Sequence, residues 1–116
     1  MDFSLTRHMA DDGVFSLGVI GEVDAVTGSK LAAAIHDAII AENAATVVVD
    51  LAGVTFLDST GISVLVMGSH LAAKCGAAFM VVGARDNVRV VLEVTGVWNA
   101  LTRPAPPIPG RVERQP

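Results

Sequence analysis

With 116 residues, 52% of them hydrophobic, the chain is long enough to bury one core and too apolar to remain a solvated, unfolded polymer. A net charge of −4, scattered lysines and arginines and the absence of tyrosine exclude the basic stripe and aromatic platform of a nucleic-acid reader, so no direct nucleic-acid partner is expected. No apolar run reaches the roughly 18 residues of a membrane span, and MDFSLTRHMADD lacks the basic-then-apolar layout of a secretory leader; the expectation is a cytoplasmic protein without a membrane partner.

Phe3, Leu5 and Met9 alternate with Ser4, Thr6 and His8, and a second alternating run covers residues 14–23 after the turn signal Asp11-Asp12-Gly13. This predicts a β-hairpin with one buried face. Leu31, Ile35, Ala38 and Ile39 recur at helical spacing between Thr27 and Glu42, with Lys30 and Asp37 off the stripe; the expectation is an amphipathic helix, started by Asp24 and Thr27 and packed through one side. Residues 46–51, TVVVDL, form an apolar β-branched run, the pattern of a strand covered on both faces.

A second helix is expected over residues 62–75, and a buried strand over residues 78–82, AFMVV. Strand, helix and strand in that order imply a right-handed parallel crossover. Cys75 has no partner for an internal disulfide and reads as a small core residue. Asp86 is placed to cap a last helix bearing Val88, Val91 and Leu92, with Gly96 as its stop. Residues 98–101 read as a short further strand or as a lid. The segment PAPPIPGRVERQP at 104–116 carries all five prolines and no apolar period, so a disordered or loosely draped tail is expected there. The result is an α/β domain over residues 1–103, a mixed sheet of four to five strands with helices packed against it.

Catalytic motifs are missing in a consistent way. Asp50 lacks the companion acids and lysine of a phosphoaccepting receiver, and Ala52 stands where a dehalogenase-type phosphatase needs a second aspartate. Ser59 is not in a Gly-x-Ser-x-Gly elbow, and neither a Gly-x4-Gly-Lys loop nor a Gly-x-Gly-x-x-Gly turn occurs. His8, His36 and His70 share no ligand spacing with acids or with Cys75, so no metal site is predicted and each reads as a surface or strand-edge histidine. The pattern suits a protein that is acted upon rather than an enzyme.

The stretch FLDSTGISVL, residues 56–65, is where such action would fall. Asp58, Ser59 and Thr60 precede an apolar run, the composition of a helix N-cap; the other reading makes one hydroxyl a chemical target. GEVDAVT (21–27), VVVDLAGVTFLDSTGISVLV (47–66) and VLEVTGVW (91–98) resemble, in order and spacing, the STAS domain of bacterial anti-sigma factor antagonists. The resemblance covers roughly residues 3–102. It implies that Ser59 is the acceptor for a partner that is both anti-sigma factor and serine/threonine kinase. Only the unphosphorylated form would hold the kinase and so free the sigma factor, and a metal-dependent serine phosphatase would reset it. ATP and magnesium would belong to the kinase, leaving this chain without a cofactor. Thr60 stands where many members carry a second serine. Relatives of the same fold act as stressosome, lipid-transport or other structural subunits, in which the Ser59 turn would be a permanent contact without modification.

The resemblance also places the Asp24 and Thr27 turn near Ser59, which makes Asp24, Thr27, Asp58, Thr60, Gly61 and Ile62 candidate partner contacts. Gly61 has two readings: its bare backbone lets a partner approach, or it lets the helix pack tightly on the sheet. Ser63, His70 and Lys74 fall on one polar stripe of the second helix, with Met67 and Leu71 on its flank. Met67 thus reads as an exposed partner contact or as ordinary rim packing.

Overall fold

The turn Asp11-Asp12-Gly13 shows how local chemistry starts the sheet. Gly13 takes a φ of +85°, which costs a glycine little, and the Asp12 carboxylate accepts the Val14 amide at 3.2 Å. The Gly13 carbonyl then accepts the amides of Ala45 and Thr46 at 2.9 and 3.2 Å, joining the hairpin to the start of the third strand. The computed structural model describes residues 3–102; the tail expected at 104–116 lies outside the described residues.

The hairpin consists of β1 (Ser4–Met9) and β2 (Val14–Val23). Helix α1 (Ala25–His36) runs on into a π-helical turn, Asp37–Ala41, before β3 (Thr46–Leu57). Then follow α2 (Ser59–Lys74), β4 (Ala78–Val82), α3 (Asp86–Val94) and α4 (Trp98–Thr102). The sheet order is β1-β2-β3-β4. β1 is antiparallel to β2, whereas β2–β3 and β3–β4 are parallel, so α1 and α2 are crossovers between parallel neighbours.

The expected order of elements therefore stands, with five corrections. β3 does not end at residue 51 but continues to Leu57. Against β2 it holds two extra residues, at the register shifts between Gly18 and Ile20 and between Gly21 and Glu22; such bulges bend a strand and are invisible to a simple apolar count. Nor is β3 covered on both faces: Val47, Val49 and Leu51 are buried while Asp50 is exposed. The buried side chains of all four helices join one cluster with Phe15, Leu17, Val47, Val49 and Val81, which leaves the opposite face of the sheet half-wet.

The segment expected as a strand or lid at 98–101 is helix α4. Val97 and Leu101 are four residues apart, the Leu101 amide bonds the Val97 carbonyl at 3.0 Å, and Leu101 is only 1% exposed. Asp86 does not cap α3 from outside; it lies within the first turn at a φ of +54°, a left-handed conformation that aspartate tolerates better than most residues. Its charge still faces the favourable end of the helix dipole. Cys75, expected in the core, is exposed because it is the C-cap of α2.

Gly76 (φ +76°) and Gly96 (φ +82°) end α2 and α3 in the same way. The Gly76 and Ala77 amides bond the Ala73 and Ala72 carbonyls, and those of Gly96 and Val97 bond the Glu93 and Leu92 carbonyls. Both pairs have the Schellman pattern, which uses a left-handed residue to satisfy the last carbonyls of a helix. The three histidines are all exposed.

Gly68 fits α2 against the core: a Cβ there would come within 2.9 Å of Ile35 Cγ2 and 3.1 Å of the Phe79 ring. Gly68→Ala should lose about 1–2 kcal/mol, since overpacking exceeds the gain in helix propensity. Urea unfolding would measure it, and an alanine variant as stable as the parent would show that the two neighbours yield freely.

Candidate functional site

β2 and β3 end in register, Val23 opposite Leu57. The next residue of each is an aspartate with extended backbone that caps a helix, Asp24 for α1 and Asp58 for α2. Two helix starts thus lie side by side at one end of the sheet. The Asp58 amide donates to the Val23 carbonyl at 3.3 Å, and the site of a Cβ on Gly28 lies 3.4 Å from Thr60 Cγ2, so the first turns of α1 and α2 also touch.

Asp24 Oδ1 accepts the amides of Val26 and Thr27, both at 3.0 Å. In return the Thr27 hydroxyl accepts the Asp24 amide at 2.9 Å, a reciprocal capping box that satisfies donors left open at a helix start. That hydroxyl also lies 2.7 Å from the Glu22 carbonyl and 3.1 Å from Asp24 Oδ1, so it anchors the turn to the end of β2. Hydrogen bonding, first from the Thr27 amide and then from its hydroxyl, holds the Asp24 carboxyl below its ordinary pKa.

Asp58 Oδ1 accepts the amides of Thr60 and Gly61 at 2.9 and 3.1 Å. The capping reading of Asp58 is therefore realised. Between these cap bonds stands Ser59, the first residue of α2 and exposed; among the described residues its hydroxyl has no hydrogen-bond partner. An exposed, unengaged hydroxyl on a rigid helix start can be presented to a modifying enzyme without local unfolding. Glu22, Asp24 and Asp58 supply negative charge to the two turns, and segments 22–28 and 57–62 hold no basic residue.

Thr60 is half-buried and Gly61 buried. A Cβ on Gly61 would collide with Leu57 Cδ1 and come within 2.9 Å of Val23 Cγ1, so its missing side chain lets α2 settle on the strand ends. Ile62 is partly buried against the core. Met67 lies two turns further along α2 and is 68% exposed, apart from the paired caps. Asp50 is placed mid-strand and bonds only locally, accepting the Ala52 amide at 2.9 Å.

Two residues of this region escaped the sequence reading. Gly28 is the contact point of the two helices, and Val26, 69% exposed, is an apolar side chain on the rim of the Asp24 turn. The signal for Val26 was its position opposite the Leu31 and Ile35 stripe; for Gly28 there was none, because its partner Thr60 is distant in sequence.

The STAS domain family matches residues 9–104. The Mycobacterium tuberculosis protein named anti-sigma-F factor antagonist RsfB is 39% identical over 68 residues, 58% of this chain and 55% of the relative, so the match spans about half the length of that relative. A crystal structure of an anti-sigma factor antagonist from Mycobacterium paratuberculosis superposes with a TM-score of 0.74 at 32% identity, covering 86% of this chain and 83% of that one. The Bacillus cell fate determinant SpoIIAA in its phosphorylated form shares the fold, with a TM-score of 0.69 at 16% identity over 96% of this chain and 98% of that one.

Two predictions follow from the caps. Asp58→Asn keeps an oxygen for the Thr60 and Gly61 amides and should lose only a few tenths of a kcal/mol, whereas Asp58→Ala should lose about 1 kcal/mol; thermal unfolding of both separates capping from charge. A carboxyl with a lowered folded-state pKa stabilises the fold above its unfolded pKa, and that contribution disappears as pH falls through the folded value. Asp24→Asn should therefore lose less stability than the parent between neutral pH and about pH 3. Identical acid unfolding curves would show that the bonds to Thr27 do not favour the charged form.

Proposed function

The chain belongs to the STAS domain family, and on that premise we propose that it is an anti-sigma factor antagonist working as a phosphoswitch. In its unphosphorylated form it binds an anti-sigma factor that is also a serine/threonine kinase, releasing a sigma factor. Phosphorylation of Ser59 by that kinase ends the binding, and a metal-dependent serine phosphatase restores it. The exchange takes place in the cytoplasm, with ATP and magnesium carried by the kinase. Among the described residues no helix is long and apolar enough to cross a membrane.

The observation that carries this reading is the exposed Ser59 hydroxyl at the start of α2, set beside the capped start of α1. Asp24, Thr27, Asp58 and Thr60 form the contact surface around it, Gly61 and Ile62 hold the helix start against the strand ends, and Met67 extends the contact along α2. A helix start carries roughly half a positive charge and tolerates a phosphate, so modification leaves the fold intact. The partner surface is where the added charge of about −1.5 to −2 acts. With a partner carboxylate about 6 Å away and an effective dielectric of about 20, each charge pair costs about 3 kcal/mol. That corresponds to about two decades of affinity.

Incubation with candidate anti-sigma factor kinases and ATP, followed by mass spectrometry, should locate one phosphate on Ser59. Ser59→Ala should melt like the parent and bind the kinase constitutively, and Ser59→Glu should bind more weakly than either. Phosphate on Thr60 would move the acceptor by one residue. A well-folded Ser59→Ala that no longer binds, or kinase binding indifferent to phosphate, would instead support a permanent structural contact of the kind made by stressosome or lipid-transport subunits.

A further inference from the structure

α1 and α2 run side by side from their neighbouring caps: Gly28 meets Thr60 and Val64 near the start, and Ile35 meets Gly68 two turns on. Between them lies a groove of about 470 Å³ lined by Ala32, Ile35, Val64, Met67, Gly68 and Leu71, with His36, His70 and Lys74 completing the wall. Because the helices are parallel, the lining sorts along the groove. Ala32 and Val64 lie toward the caps, and His36, His70 and Lys74 follow toward the far ends of the two helices. No carboxylate lines the groove, although the chain as a whole has a net charge of −4. Among the described residues, the side chains of His36, His70 and Lys74 have no hydrogen-bond or ion-pair partner.

We propose that this groove binds a free medium-chain fatty acid, its tail on Ile35, Val64 and Leu71 and its carboxylate against Lys74 and the two imidazoles. The volume is that of small-molecule sites, which are mostly apolar with a few converging polar groups. From Val64 to Lys74 the helix rises about 15 Å, enough for an extended medium-length chain. Met67, 68% exposed, is a flexible thioether able to fold over such a tail. The head end is also the carbonyl end of α2, whose partial negative charge opposes a dianionic phosphate more than a single carboxylate. The site stands whether or not Ser59 accepts phosphate.

The test is titration of the ¹⁵N-labelled full chain with decanoate below its micelle-forming concentration. Saturable one-to-one shifts at Ala32, Val64 and Leu71 are expected. Decanol, which has the tail without the charge, should bind more weakly, and Lys74→Gln should weaken decanoate about threefold to fivefold, the scale of one exposed charge pair, while leaving decanol unchanged. His70→Gln, at another exposed position, is the second variant and should act in the same direction. An absence of saturable shifts, equal binding of decanol and decanoate, or shifts confined to residues outside the groove would overturn the proposal. So would an acidic amphipathic peptide helix that shifts these residues when decanoate does not, since the groove would then be a protein-docking surface.

Discussion

The register of two parallel strands governs this molecule. Val23 and Leu57 face each other at the ends of β2 and β3, and each is followed by an aspartate that turns the chain into a helix. Had β3 run without its two extra residues, its end would fall elsewhere along β2 and the two caps would not be neighbours. Because side chains alternate across a strand, a shift of one residue would also exchange the buried and wet sets. The bulges therefore decide at once which side chains of β3 enter the core and where Ser59 stands.

The caps place opposite electrostatic demands on the same few ångströms. Asp24 and Asp58 are each held by two backbone amides, so their charges are stabilised by the helix starts on which they sit. Outward, the same carboxylates add to any charge placed on Ser59. A helix start so capped can accept further negative charge without rearranging the fold. Glycine makes the arrangement compact: Gly61 lets α2 close on Leu57 and Val23, where a side chain would hold it off.

The groove further along α1 and α2 is a consequence of the same parallel packing. Gly68 lets α2 settle against Ile35 and Phe79, and beyond that contact the helix surfaces carry Met67 and the polar stripe rather than side chains that would close the gap. The helix starts carry the Asp24 and Asp58 carboxylates, whereas the groove between the helices is lined by His36, His70 and Lys74 and by no carboxylate.

Much of this was legible from local pattern. Alternation marked the hairpin, helical spacing of Leu31, Ile35 and Ala38 marked α1, and the Asp-Ser-Thr-Gly stretch marked the start of α2, because dihedral preference, capping and burial of one face act within a few residues. The stripe of Ser63, His70 and Lys74 is solvent-facing as its spacing implies. What local pattern misassigned depended on distant partners. Residues 98–101 became helical where Leu101 could reach the core, β3 extended because β2 ran on beside it while bulges in β3 took up the register, and Cys75 was left outside by the turn that ends α2. By itself the sequence determined most of the elements, their order and the Asp-Ser-Thr-Gly helix start, since these follow from side-chain chemistry along the chain. Only the tertiary structure decided that Asp24 and Asp58 are neighbours, that Gly28 meets Thr60 and that a groove opens between α1 and α2, because each depends on strand register and close packing between residues far apart in the chain.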